Sequence, residues 1–249
     1  MKTPPKIYTF QSFPTRQRWV EWVSSGIMPE DAPIIMEESP WKTPQTLLKE
    51  KLAPAYKEKT QKMMEAVLLR PKIFQEYCKI SGEILTRANI QSKTHPWQRA
   101  SLDGISQNNW HIVQIKSGKY AWQKAQELGR TPAFYYGEGQ HILAVTGLQY
   151  LTFHFHTGKK EEKPLSFYLR RNNQYIQTLI TKEEEFHRHL LTQRLNPNKE
   201  ILEKVQNAIL KKGPKVDYQT YQRIVPTYLT PSGMPTDKGK TLLALLTKK

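Results

Sequence analysis

Residues 110–116, WHIVQIK, alternate strictly, with Trp110, Ile112, Gln114 and Lys116 on one face of an extended chain and His111, Val113 and Ile115 on the other. A strand therefore lies at the centre of the chain and carries Gln114 and Lys116 side by side. Just upstream, ASLDGI runs through Asp103 and Gly104, and the SQNN that follows is turn-like. Two strands are expected to meet here as a hairpin, with Asp103 beside Gln114 and Lys116. QYLTFHFH at 149–156 returns to the same alternation.

Helical signals flank these strands. TPQTLLKEKL, residues 43–52, opens with Thr43 as N-cap and Pro44 at the first helical position. From about Tyr56 to Ile80 an apolar stripe including Val67, Ile73, Phe74 and Tyr77 keeps helical spacing, and Pro71 is expected to kink or split it. A helix from about Tyr120 to Leu128 stops at Gly129. Pro132 opens another, FYYGEGQHILAV, in which Gly137 and Gly139 weaken the helix and allow close approach to a sheet or to DNA. EEEFHRHLLTQRL is the clearest later helix. The expected fold class is α/β or α+β, a small mixed central sheet flanked by helices.

Charge narrows the partner. Of 249 residues, 38 are Lys or Arg and 22 are Asp or Glu, so 38 − 22 gives +16, and a polyanion is expected. The basic residues are interleaved with Gln, Asn and aromatics rather than gathered in one amphipathic helix, which favours nucleic acid over lipid. No segment approaches the roughly 20 apolar residues of a membrane span, and the N-terminus does not read as a signal peptide. With Cys78 the sole cysteine, a disulfide framework is excluded and a cytoplasmic location is expected. No GxxxxGK[ST] occurs, so the chain carries no ATP motor of its own. Beyond Asn196 lie 10 basic and 4 acidic residues, 10 − 4 = +6, with five prolines. The chain is read as a core over 1–195 and a basic C-terminal appendage over 196–249, either a solvated tail or a DNA-contacting arm.

An acid on one strand followed by acid-x-Lys on the next is the pattern of metal-dependent phosphodiester cleavage. Acidic oxygens hold Mg²⁺, which polarises the phosphate and activates water, while a lysine steadies developing charge. Here the pieces are Asp103, Gln114 and Lys116, with Glu65 on the preceding helix as a further acid. The spacing alone is weak. Other candidates read more simply as structure: His154 and His156 share a strand face without a third ligand, and Trp97, Trp110 and Trp122 are more often packing residues than base-stacking ones.

The order SPWKTP, the helix with Glu65, PWQRASLDGI, IVQIKSG and PAFYYGEGQHILAVTGLQY resembles the phage lambda-type exonuclease or YqaJ-like viral recombinase family, over roughly residues 16–155. That family belongs to the PD-(D/E)XK nuclease superfamily. The resemblance implies a restriction-endonuclease-like core and a Mg²⁺- or Mn²⁺-dependent exonuclease acting on double-stranded DNA in phage or mobile-element recombination, with a single-strand annealing or replication protein as possible companion and oligomers among its members. It matches Asp103 to the metal-binding aspartate, Lys116 to the catalytic lysine, Glu65 to the helix glutamate, and Tyr135 and Gln140 to a Tyr-x-x-Gln-x-Gln helix. Two positions depart from the pattern: Gln114 stands where the family has Glu, and Glu138 where it has the first helix glutamine. The hypothesis is that the carboxylate has migrated, so that Asp103, Glu138 and Glu65 hold metal while Gln114 offers an amide oxygen. In VSSGIMPEDAP the family's phosphate-binding arginine is replaced by Val23 and its serines by Pro29 and Glu30, which disfavours a terminal 5′ phosphate. A phosphate pocket rebuilt from Arg16 and Arg18, action on another DNA end, endonucleolytic cutting, and a nuclease-derived DNA-binding protein that no longer cuts are the competing expectations.

Overall fold

The computed structural model describes residues 6–52, 61–108 and 110–195. Its first half runs β1 (Tyr8–Gln11), α1 (Arg16–Ser25), α2 (Ala32–Ile35), α3 (Pro44–Leu52), α4 (Gln61–Ser81), β2 (Leu85–Ser92) and β3 (Arg99–Ser106). The second half runs β4 (Ile112–Ser117), α5 (Lys119–Leu128), α6 (Tyr136–Thr146), β5 (Tyr150–His156), β6 (Leu165–Arg170) and α7 (Asn173–Leu195). The proposed appendage over 196–249 lies outside the described residues.

The six strands form one sheet in sequential order. Only β4 and β5 are parallel, joined through α5 and α6; every other neighbouring pair is antiparallel. The sheet is therefore mixed and flanked by helices, as the alternation and the helical spacing predict. On one face Ile73 of α4 covers Val113 and Ile115 of β4 and Leu85 of β2. On the other, α5 and α6 cover Leu102, Ile105, Ile112, Leu151, Phe153 and Phe155. Behind α6 a second layer of α2, α3 and α7 closes around Ile27, Ile34, Leu47, Trp97 and Phe186.

Several local expectations meet their physical limits here. Thr43 does cap α3, its hydroxyl accepting the Thr46 N–H at 3.3 Å. Pro71, expected to kink or split its helix, lies inside a continuous α4. The carbonyl it deprives of a partner is that of Val67, and Val67 and Pro71 both line an open cleft, so water reaches that side while the opposite side packs on the sheet. The stretch after Pro132 is not one helix but a 3-10 turn, Ala133–Tyr135, followed by α6. Gly139 allows α6 to lie directly on the sheet, since a Cβ there would fall 2.2 Å from Leu169 and 3.0 Å from Phe153.

Two buried charge networks lock α1, α3 and α7 to this frame. α1 ends at Gly26 in an extended rather than a left-handed conformation, leaving its last carbonyls without backbone partners. Basic side chains from elsewhere take them: Arg99 bonds the Trp22 carbonyl, Arg194 that of Ser24 at 2.9 Å, and Lys51 that of Gly26 at 2.8 Å. His187 reaches the Ser25 carbonyl at 3.4 Å; burial and the Arg99 charge push its pKa down to about 3, so it donates as a neutral ring. Lys51 also pairs with Asp31 at 2.6 Å, both nearly buried, and Asp31 accepts the Met28 N–H at 2.8 Å.

The second network joins α6, α7 and β3. Glu183 accepts from His141 Nδ1 at 2.6 Å and from Gln98 Nε2 at 2.7 Å, while His141 Nε2 donates to the Arg99 carbonyl at 2.9 Å. Burial alone would lower the His141 pKa, but the Glu183 carboxylate outweighs it and the net shift is upward. The pair's stabilisation is therefore complete below the free imidazole value of about 6.5 and is lost as pH rises through the higher folded value. Glu183→Ala is expected to lower the unfolding free energy by about 3–5 kcal/mol in urea titrations at mildly acid pH. The gap from the unsubstituted protein should narrow in alkaline buffer; a gap independent of pH would refute the ion-pair assignment.

Candidate active site

The β3–β4 ladder contains two residue pairs, Gly104–Val113 and Ile105–Ile112. Beyond them the strands part. β3 also carries a bulge: from Thr86–Ile105 to Ala88–Leu102 the register advances 88 − 86 = 2 residues on β2 and 105 − 102 = 3 on β3. The extra residue falls at Asp103–Gly104, which is why Leu102 and Ile105 both enter the same core while Gly104 faces α4, where a Cβ would sit 2.7 Å from Phe74. The Asp103 carboxylate lies in the gap, Oδ2 accepting the Ile115 N–H at 2.9 Å. Oδ1 lies 3.8 Å from Arg70 Nη1 of α4. Gln114 is buried in the same gap and donates its amide weakly to the Ser101 carbonyl, at 3.4 Å.

Lys116 follows one step along β4. Its ammonium is ion-paired with Glu138 in the first turn of α6. It also lies over the Tyr135 ring, 4.3 Å from the centroid, and 5.2 Å from that of Phe153. Burial and the Glu138 charge push the Tyr135 hydroxyl well above its ordinary pKa, so it stays neutral. Glu30 joins this neighbourhood. Its pKa is raised by partial desolvation and by the charges of Asp31 and Glu138, although the residue is exposed at the surface.

An open cleft of roughly 790 Å³ leads to Asp103. Phe10, Trp19, Arg70, Arg87 and Asn89 line it, with Asp103 its sole acid. Sequence reasoning passed over Arg70 and Arg87. The available signal was that Arg70 interrupts the apolar stripe of α4 directly before Pro71; nothing local marks Arg87, because the cleft is assembled from β1, α1, α4, β2 and β3.

The remaining expected site residues are distributed differently. Glu65 is exposed and accepts from Gln61 of its own helix at 3.2 Å, whereas the α4 side chain facing Asp103 is Arg70. Gln140 is buried with its amide engaged at both ends, donating to the Arg170 carbonyl at 2.8 Å and accepting the Asn172 N–H at 2.9 Å, which makes it a tie between α6 and the end of β6. Arg16 and Arg18 lie in the first turn of α1, both exposed, with Arg18 paired to Glu21 at 3.3 Å. Two cations at the positive end of a helix oppose its dipole, so their placement does not serve helix stability. Arg16 precedes Trp19 by one turn and shares its face.

Among the described residues no group of three or more His, Cys, Asp or Glu comes together as a metal site. His154 and His156 are engaged with Ser166 and the Glu162 carbonyl, and burial together with His156 lowers the His154 pKa to about 4. Trp97 and Trp122 are buried packing residues, while Trp110 is 62% exposed. No described helix is long and apolar enough to cross a membrane.

The same architecture occurs in known proteins. An alkaline exonuclease (LHK-Exo) from Laribacter hongkongensis matches with a TM-score of 0.63 at 18% identity, covering 79% of this chain and 100% of that one. LHK-Exo in complex with dAMP matches with a TM-score of 0.62 at 17% identity over the same shares. At these identities the likeness is one of fold. No curated protein matches the chain. A family model, the YqaJ-like viral recombinase domain, matches residues 18–149, a span that includes most of α1, the bulged β3, the parting strands and α6. With more than half of its length matched, this chain belongs to the YqaJ-like viral recombinase domain family.

Proposed function

We propose that the protein is a nuclease of the phage exonuclease type, hydrolysing phosphodiester bonds of double-stranded DNA with Mg²⁺ or Mn²⁺. The observation that carries this reading is that Asp103 and Gln114 share the gap where β3 and β4 part, with Lys116 two residues further along β4, and that Asp103 opens on a cleft lined by Arg70 and Arg87. Family membership and the fold shared with an alkaline exonuclease support it. Arg70 and Arg87, with Arg16 and Arg18 nearby on α1, supply the sequence-independent attraction that a phosphate backbone requires.

The donor set suits a hard cation that is completed by water and a substrate phosphate rather than a closed protein cage, because Mg²⁺ is commonly held by one or two carboxylates plus phosphate. Asp103 Oδ1, the Gln114 amide oxygen and the Glu138 carboxylate would hold it, and Glu65 would assist only through water. Bound there, the cation would polarise the phosphate and lower the pKa of the attacking water. The chain itself contributes a fixed ammonium. Glu138 and the faces of Tyr135 and Phe153 hold Lys116 so that it can donate to a phosphate oxygen as negative charge grows on it. Tyr135 thus orients the lysine, and Gln140 fixes the helix that carries Glu138. Val23 and Glu30 argue against dependence on a terminal 5′ phosphate.

A second reading is a DNA-binding protein that no longer cuts. Charge pairing favours it: Asp103 has Arg70, Glu138 has Lys116, and Gln114 bears no charge.

Linear, circular and single-stranded DNA incubated with Mg²⁺ or Mn²⁺ separate these readings. Cutting of linear duplex that falls by about 10²-fold or more in Lys116→Ala is expected; binding without any cutting would establish the second reading, and cleavage of closed circles would make the enzyme an endonuclease. Glu138→Gln should lower turnover and raise the Mg²⁺ concentration needed, and unchanged turnover would remove Glu138 from the site. Asp103 divides structure from chemistry. Asp103→Asn keeps an oxygen for the Ile115 N–H and should unfold near the unsubstituted temperature while losing activity. Asp103→Ala leaves that donor unpaired and should also cost about 1–3 kcal/mol in thermal unfolding.

A further inference from the structure

Four aromatic rings run in contact from Lys116 to solvent. Tyr135 covers the ammonium, and the Phe134 ring lies 4.6 Å from Tyr135. Beyond Phe134, Trp41 stands edge-on at 4.8 Å, and Tyr120 lies nearly parallel, 21° off, at 6.3 Å. Exposure increases outward: Trp41 is 60% and Tyr120 56% exposed. Three separate segments supply these rings, the stretch before α3, the first turn of α5 and the 3-10 turn before α6. Trp41, Phe134 and Tyr120 lie outside the three apolar cores, and a contiguous exposed aromatic patch marks an interaction surface.

We propose that Trp41, Phe134 and Tyr120 form a stacking platform for the unpaired bases of a single DNA strand passing the site. The inference rests on the reading of the parting strands as a DNA site. Continuity selects nucleobases over other occupants, because the row of rings begins at the lysine that faces the phosphate and ends in open solvent. Charge agrees with it. Lys42 and Lys119 adjoin Trp41 and Tyr120 in the chain, Lys119 exposed and Lys42 sharing its charge with Glu50 at 2.9 Å, so positive charge accompanies the rings as a sugar-phosphate backbone requires. Stacking is tolerant of sequence, since every base has a π-face. A duplex keeps its bases stacked on one another and gains nothing from the platform unless its end frays. The platform therefore discriminates by strandedness, a property that the arginine-lined cleft does not supply.

The test uses the full chain in chelator, so that binding is read without cutting. A labelled single-stranded oligonucleotide and a blunt duplex of the same sequence are titrated by fluorescence anisotropy against the unsubstituted protein, the pair Trp41→Ala with Tyr120→Ala, and the pair Trp41→Phe with Tyr120→Phe. The alanine pair should bind the single strand about tenfold or more weakly and the duplex within about twofold, and the phenylalanine pair should restore most of the loss. Equal losses on both DNAs, or no loss on the single strand, would overturn the proposal. A change in sedimentation mass without loss of single-strand binding would assign the patch to a second copy of the chain instead. The two readings fail separately: a protein that cuts DNA but whose alanine pair binds single strands normally loses the platform alone. One that never cuts yet shows the selective loss keeps the platform and loses the nuclease.

Discussion

Where β3 and β4 part, the Asp103 carboxylate does for Ile115 what a strand carbonyl does elsewhere in the sheet, accepting its amide proton. Because that donor is satisfied, β4 can leave β3 after two paired residues without burying an empty N–H. Released on that side, β4 runs parallel to β5 from Val113–Thr152 to Ser117–His156. Gln114 and Lys116 are thereby carried past the end of the ladder, into a gap no backbone fills. The bulge at Asp103–Gly104 makes the same arrangement compatible with packing, since it returns Ile105 to the core that Leu102 already occupies. One carboxylate thus fixes both the route of the central strand and the opening beside it.

The excess positive charge is not distributed as composition alone implies. Lys51, Arg99 and Arg194 turn inward, where they satisfy the last carbonyls of α1. Such side chains complement the negative end of a helix dipole and anchor α1 to β3, α3 and α7. What remains outward at the cleft is a small set, Arg70 and Arg87, with Arg16 and Arg18 on the exposed first turn of α1. At the cleft, attraction for a polyanion comes from those few residues rather than from the full +16.

Local rules carried the sequence reading as far as local causes reach. The alternation of Ile112 to Lys116 gave β4, the Thr43–Pro44 start gave α3, and QYLTFHFH gave β5, because each is a property of adjacent residues. Spacing singled out Asp103, Gln114 and Lys116, and resemblance gave them roles and drew attention to Glu138. The rest was illegible for physical reasons. Nothing near Val23 or Ser24 indicates that Lys51 and Arg194 close that helix end, and a bulge leaves no periodic mark because it breaks the period. Glu65 and Arg70 differ by little more than one helical turn, yet only the packing of α4 decides which of them meets Asp103. Resemblance matches Gln140 to a family glutamine; that its amide is tied between Arg170 and Asn172 is visible only once β6 lies beside α6.

Gly137 and Gly139 bracket Glu138. A Cβ on the first would meet Tyr175 at 2.9 Å and Pro33 at 3.1 Å, and one on the second would meet Leu169 at 2.2 Å. The first turn of α6 is therefore held between two hard surfaces, the sheet on one side and the α2–α7 layer on the other, with no side chain to cushion either. Close clearance, together with the bonds of Gln140 and His141, sets the position of the carboxylate opposite Lys116. A helix seated in this way behaves as a machined part in a close-fitting slot: the acid it carries can be exchanged for an amide without disturbing the seat, whereas the seat itself tolerates almost no change. That asymmetry gives a physical account of how an acidic group and an amide could trade places between β4 and α6 while the fold around them stays the same.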